Sequence, residues 1–85
     1  MKTFATVGKF LKQIVVRRRD FPGSLIRITW DGNTSPDFDK VYKARHYLAR
    51  NCGNIRTMLL IQLVSSDGFL LAKSVSNFSR RRRVS

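Results

Sequence analysis

The stretch from Arg56 to Ser76 constrains this chain most, because it reads as one β-hairpin. Residues Thr57 to Val64 are apolar except at Thr57 and Gln62. That run is too continuous for a strand with one wet face, which predicts a strand in the interior of a sheet. Asp67-Gly68 follows, flanked by apolar runs. This dipeptide favours a two-residue type I′ connection, in which both central residues need positive φ. The resulting register sets Ser66 opposite Phe69, Val64 opposite Leu71, Gln62 opposite Lys73 and Leu60 opposite Val75. The rest of the chain must cover this hairpin.

Upstream, Phe4, Val7, Phe10, Leu11, Ile14 and Val15 recur at helical spacing with Lys9 and Lys12 off the stripe, the pattern of an amphipathic helix. The part from Phe10 to Val16 reads equally as a strand, since Ile14, Val15 and Val16 are β-branched and Gly8 weakens a helix. A basic, acid-free start of this kind is also the composition of a mitochondrial presequence. Phe21-Pro22-Gly23-Ser24 is a turn, and Leu25 to Trp30 alternates as a strand with Ile26, Ile28 and Trp30 on one face. Asp31 to Thr34 reads as loop. Ser35 to Gly53 carries a helix signature: Ser35 as N-cap, Pro36 at the first position, Asp37 and Asp39 at the positive end of the dipole, and Gly53 past the end. Its expected apolar stripe is Phe38, Val41, Tyr42, Leu48, Ala49 and Cys52, with the stem of Arg45 lying along it. Asp39, Lys43, His46 and Arg50 form the opposite, polar stripe.

The expected architecture is therefore α+β, a small single domain with a basic lead followed by β-α-β-β, one helix packed on the sheet and a hairpin at its C-terminal end. The divisions fall at 1–19 for the lead, 20–79 for the core domain and 80–85 for an Arg-rich tail.

Charge supplies the partner class. Seventeen Lys and Arg against five Asp give a net charge of +12 on 85 residues, and most of it lies at the ends. Residues 1–19 carry six bases and no acid, Arg80 to Arg83 carry four bases, and the middle holds seven bases with all five Asp. Two strongly basic ends on a nearly balanced domain point to a polyanion, nucleic acid first. The expected phosphate contacts are Lys9, Lys12, Arg17, Arg18, Arg19, Lys43, Arg50, Arg80, Arg81, Arg82 and Arg83. Arginine offers a forked, charge-assisted contact to phosphate, and counterion release gives affinity without sequence preference. Of the aromatics, only Tyr47 and Phe78 are expected outside the core, too few for a stacking platform. His46, among bases, reads as solvated or phosphate-facing.

Nothing in the chain reads as an enzyme. Each Asp falls at an expected turn or helix start, which are structural places for Asp, and there is no phosphate loop, zinc spacing or nucleophile elbow. Cys52 is the only cysteine and is expected as an apolar filler. No cofactor, metal or small-molecule substrate is implied. The longest uncharged run, Thr57 to Ser66, is too short to cross a bilayer. The basic amphipathic start also suits an anionic lipid surface, a less favoured reading.

The layout from Gly8-Lys9-Phe10 through Leu25 to Trp30, the Asp31-Gly32-Asn33-Thr34 loop, the helix ending Ala49-Arg50-Asn51 and the strand from Thr57 resembles the thioredoxin-like family of mitochondrial ribosomal proteins, which a small accessory subunit of respiratory complex I shares. The resemblance rests on element order over Gly8 to Ser76. Members of that family have lost thioredoxin's redox cysteines, in agreement with a lone Cys52, but they commonly continue into a further helix where this chain has an Arg run. The resemblance implies a structural RNA-binding protein of the mitochondrial ribosome, with RNA and neighbouring particle proteins as partners. The competing reading is a small viral or regulatory accessory protein, nuclear through its Arg tail, that binds nucleic acid or a protein.

Overall fold

The computed structural model describes residues 4–77, in the order α1 (Phe4–Arg17), β1 (Leu25–Trp30), β2 (Asn33–Thr34), α2 (Val41–Asn51), β3 (Met58–Val64) and β4 (Leu70–Asn77). Short 3-10 turns at Arg18–Asp20 and Cys52–Asn54 extend the two helices. The strands form one antiparallel sheet in the order β2-β1-β3-β4. The fold is thus α+β with a C-terminal hairpin and the apolar β3 in the sheet interior, as expected. It adds a helix and a strand to the expected β-α-β-β core. The tail at 80–85 and Phe78 lie outside the described residues.

Both added elements have a local cause. Val7, Leu11 and Ile14 are fully buried at helical spacing, and burying three such side chains, about 1.5–3 kcal/mol each, outweighs the tenths of a kcal/mol by which β-branching disfavours a helix. The segment set apart as a lead is therefore part of the core. Strand β2 exists because Asp31 and Gly32 take φ of +49° and +86°, the two left-handed residues of a type I′ turn, which pairs Trp30 with Asn33 and Thr29 with Thr34. The expected loop is a hairpin.

The Asp67-Gly68 turn corrects the opposite expectation. Only Gly68 has positive φ; its N–H donates to the Ser65 carbonyl and the Ser65 N–H donates to that of Phe69, which makes a three-residue loop with Gly68 as the left-handed residue. Next to the turn, Val64 therefore pairs with Leu70 instead of Leu71, and Ser65 lies opposite Phe69. An irregularity at Leu63/Val64 then takes up Leu71 and restores the expected pairs Gln62 with Lys73 and Leu60 with Val75.

The helix expected over Ser35 to Gly53 begins only at Val41 and ends at Asn51. Its supposed cap runs instead along the free side of β1. The Ser35 hydroxyl accepts from the Ile28 N–H at 2.9 Å and donates to the Pro36 carbonyl at 2.8 Å; the Ser35 N–H donates to the Ile28 carbonyl. Phe38 and Ile26 exchange two 2.8 Å backbone bonds. Pro36, lacking an N–H, is tolerated on such an edge.

Alternation along the strands divides the sheet into two unlike faces. Ile26 and Ile28 of β1, Leu59, Ile61 and Leu63 of β3 and Ala72 of β4 are buried against Val7, Leu11 and Ile14 of α1 and Ala44 and Leu48 of α2. The helices touch each other over this face, and the Ser74 hydroxyl donates to Gln13 Oε1 at 2.9 Å. Leu25, Arg27 and Thr29, then Met58, Leu60 and Gln62, then Leu70, Lys73 and Val75 occupy the other face, on which neither described helix packs. The run from Thr57 to Val64 does have one open face, contrary to the expectation from its continuity.

Asp31 locks the two hairpins together. Its carboxylate accepts from the N–H groups of Arg56, Thr57 and Met58 at 2.6, 2.7 and 3.0 Å and from the Thr57 hydroxyl at 2.6 Å. Partial burial raises its pKa, but these four bonds together outweigh that and hold the carboxyl well below the usual carboxylate range.

Candidate nucleic-acid interface

Five described acids face twelve described bases, so what the acids do decides where positive charge is left uncompensated. Three acids are engaged. Asp31 is consumed by backbone N–H groups. Asp37 takes Arg27 in a forked pair at 2.8 and 3.0 Å, and this bond chiefly holds the Asp37 carboxyl low and raises the Arg27 guanidinium. Asp39 pairs with Lys43 at 2.9 Å, one helical turn on, which likewise lowers the carboxyl and raises the ammonium. Lys43, expected as a phosphate contact, is thus already partnered.

Seven of the ten remaining described bases, Lys9, Lys12, Arg17, Arg18, Arg19, Arg45 and Arg50, belong to the two helices and the turn after α1. Lys9 and Lys12 are exposed on α1 because Val7, Leu11 and Ile14 turn the other way. Arg45, His46 and Arg50 are exposed on α2 because its buried stripe centres on Ala44 and Leu48. Lys12 and Arg45 line one groove between the helices, floored by Gly8, Leu11 and Val15. Arg45 continues into a shallow recess with His46, Ala49 and Arg50, and His46 and Arg50 continue into another with Pro36, Phe38, Lys43 and Tyr47. In the other direction Val15 leads to a recess lined by Arg18, Arg19, Pro22, Gly23 and Val41. Shared lining residues therefore join Arg18 and Arg19 to Arg50 in one basic band across both helices.

The expected contacts divide accordingly. Lys12, Arg19 and Arg50 are exposed in the band, and Lys9 and Arg17 are exposed on α1. Arg18 serves as a strut: its Nη2 donates to the Asp39 carbonyl at 2.6 Å and to the Ser24 carbonyl at 3.3 Å, which pins the turn after α1 to the segment before α2. Arg80, Arg81, Arg82 and Arg83 lie outside the described residues.

Arg45 is the exposed base of the band that sequence reasoning missed. The stripe drawn through Tyr42 and Ala49 placed Arg45 on the apolar face; the real stripe, Val41, Ala44 and Leu48, excludes it. Ala44, small and weakly apolar, was the available signal. The same rotation exchanges two tyrosines. Tyr42, expected in the core, is 58% exposed and sits edge-on to His46 with ring centres 6.2 Å apart. Tyr47, expected outside it, packs against the core, tilts against Phe38 at 5.6 Å, and its hydroxyl accepts from Trp30 Nε1 at 2.8 Å.

Chemically, the band offers guanidinium and ammonium groups with one imidazole and one exposed aromatic ring. Cys52 is half-buried against the core. Among the described residues no group of three or more His, Cys and Asp is placed to hold a metal ion, and no helix is long and apolar enough to cross a membrane. Comparison with protein-family models, with curated proteins and with solved structures gave no match.

Proposed function

We propose that this chain is a non-enzymatic, structural RNA-binding protein that holds phosphates on its helix side, as a component of a ribonucleoprotein particle, the mitochondrial ribosome in the first place. The observation that carries the reading is the band from Arg18 and Arg19 through Lys12 and Arg45 to His46 and Arg50. Sequence-independent binding to a phosphate backbone needs a surface on which bases outnumber acids. The mitochondrial part of the reading rests on the acid-free basic start and on the family resemblance. Val7, Leu11 and Ile14 place α1 in the core of the fold.

The test is the salt dependence of RNA binding. Each phosphate contact removed lowers the slope of log affinity against log salt by about 0.7–0.9. The Lys12→Ser, Arg45→Ser, Arg50→Ser triple variant should lose affinity for RNA of any sequence and flatten the slope by about 2 to 3. An unchanged slope contradicts the reading. Gradient fractionation of native extract, with and without RNase, addresses the particle: migration with a ribosomal subunit that collapses after RNase supports it, whereas a position at the top in both samples favours the nuclear accessory reading.

A further inference from the structure

We propose that Tyr42 stacks on an unpaired base, so that the basic band holds single-stranded RNA by one aromatic ring as well as by its charges. The inference rests on the phosphate-binding reading above and deepens it. Tyr42 is 58% exposed and is no member of the core cluster, whereas Tyr47 on the same helix packs against that cluster and accepts from Trp30 with its hydroxyl. A tyrosine stabilises a fold chiefly through the aromatic body it buries, and Tyr42 keeps most of that body in water.

The helix sets what surrounds the ring. Residues three and four apart are neighbours on a helix surface, so Tyr42, Arg45, His46 and Ala49 form one lozenge on the outer side of α2, and all four are exposed. Beyond Tyr42, the other three line a shallow recess with Arg50. The Tyr42 and His46 rings stand at 81° with centres 6.2 Å apart, an edge contact in which neither covers the other face to face. Asp39, three residues before the ring, is paired with Lys43 at 2.9 Å.

This surrounding chemistry selects the ligand. An apolar partner laid on the ring would have to desolvate Arg45 and Arg50, whereas a nucleotide brings a flat face for the phenol and a phosphate for the guanidinium groups together. Every base has a π-face, so one exposed ring adds affinity without base preference. In a duplex those faces are covered by neighbouring base pairs, and only unpaired nucleotides can use the ring.

Fluorescence anisotropy of the full chain with a short unstructured RNA, and with a duplex of the same length, at several salt concentrations tests the proposal. Tyr42→Leu keeps apolar bulk but removes the π-face. It should weaken binding to the single strand about fivefold or more, hold duplex affinity to within about twofold, and leave the salt slope unchanged, because no charge is lost. Tyr42→Trp should restore the single-strand affinity. Tyr42→Ala is read in the same way if the leucine alters the circular dichroism spectrum. Equal single-strand affinity in parent and variant overturns the stacking contact, as does an equal loss on both RNAs. In either case the phosphate reading stands, since it is carried by the salt slope of the Lys12→Ser, Arg45→Ser, Arg50→Ser variant. A parent that binds neither RNA overturns both.

Discussion

The two faces of the sheet are carried by the same strands, and alternate residues of β1, β3 and β4 belong to opposite environments. The helix-covered face holds Ile26, Ile28, Leu59, Ile61 and Leu63, all at 0% exposure, and above them the helices present Lys9, Lys12, Arg45 and Arg50. The open face holds Leu60, Leu70 and Val75 with little net charge. The comparison teaches that, among the described residues, the main buried cluster and most of the exposed bases lie on one side of the sheet, while the other leaves Leu70 and Val75 half exposed.

The division breaks most sharply under truncation. Ile28→Ala, beneath the helices, should cost about 3–4 kcal/mol in urea unfolding, a large share of what a domain of this size possesses. Val75→Ala on the open face should cost about 0.5 kcal/mol or less. Equal costs would erase the distinction between the faces.

The next effect concerns the clasp at the sheet's end. Asp31→Asn removes the charge and replaces one acceptor oxygen with an NH2 group, which leaves the N–H groups of Arg56, Thr57 and Met58 short of acceptors and should cost about 2 kcal/mol. Asp31, Asp37 and Asp39 all have lowered folded pKa values. Between the folded and unfolded values the unfolded state binds more protons, so stability rises with pH there; the contribution is complete above the ordinary value of 3.8 and is lost as pH falls through the folded values. Urea midpoints should therefore be flat from about pH 7 to 5 and decline below about 4. The decline should be shallower in Asp31→Asn, and an identical profile would remove Asp31 from the account.

The smallest effect sharpens the picture of α1. Gly8 lies in the helix with nothing within 4 Å of an added Cβ. Gly8→Ala should raise stability by about 0.5–1 kcal/mol, read from the same urea curves. Destabilisation would show that the groove beside Lys12 and Arg45 needs the missing methyl.

The sequence made some of this legible. The distal register of the C-terminal hairpin, Gln62 with Lys73 and Leu60 with Val75, follows from matching two apolar runs, and survives because the extra loop residue and Leu71 compensate. The turn itself was misread because Asp-Gly suits both a type I′ pair and a loop in which only glycine is left-handed, and each chemistry appears once here, at Asp31-Gly32 and at Asp67-Gly68. Ser35-Pro36-Asp37 was ambiguous in the same way. A hydroxyl, a residue without an N–H and a carboxylate serve a helix start or a sheet edge equally well, and the backbone groups of Ile26 and Ile28 on the free side of β1 claimed them. The basic band was only half legible. Lys12 and Arg50 stand out on their own helices, but Arg45 joins them only through the packing of α1 against α2, a contact between segments about thirty residues apart that no local pattern records.

The measurement that bears most directly on the two-faced account is a backbone amide NMR titration of the full chain with a short single-stranded RNA at low salt. Shifts should concentrate at Lys12, Arg45, His46 and Arg50, with Leu60, Lys73 and Val75 unmoved. Shifts centred on Leu60, Lys73 and Val75 would place the RNA on the open face and contradict the assignment of the helix side as the phosphate-binding surface.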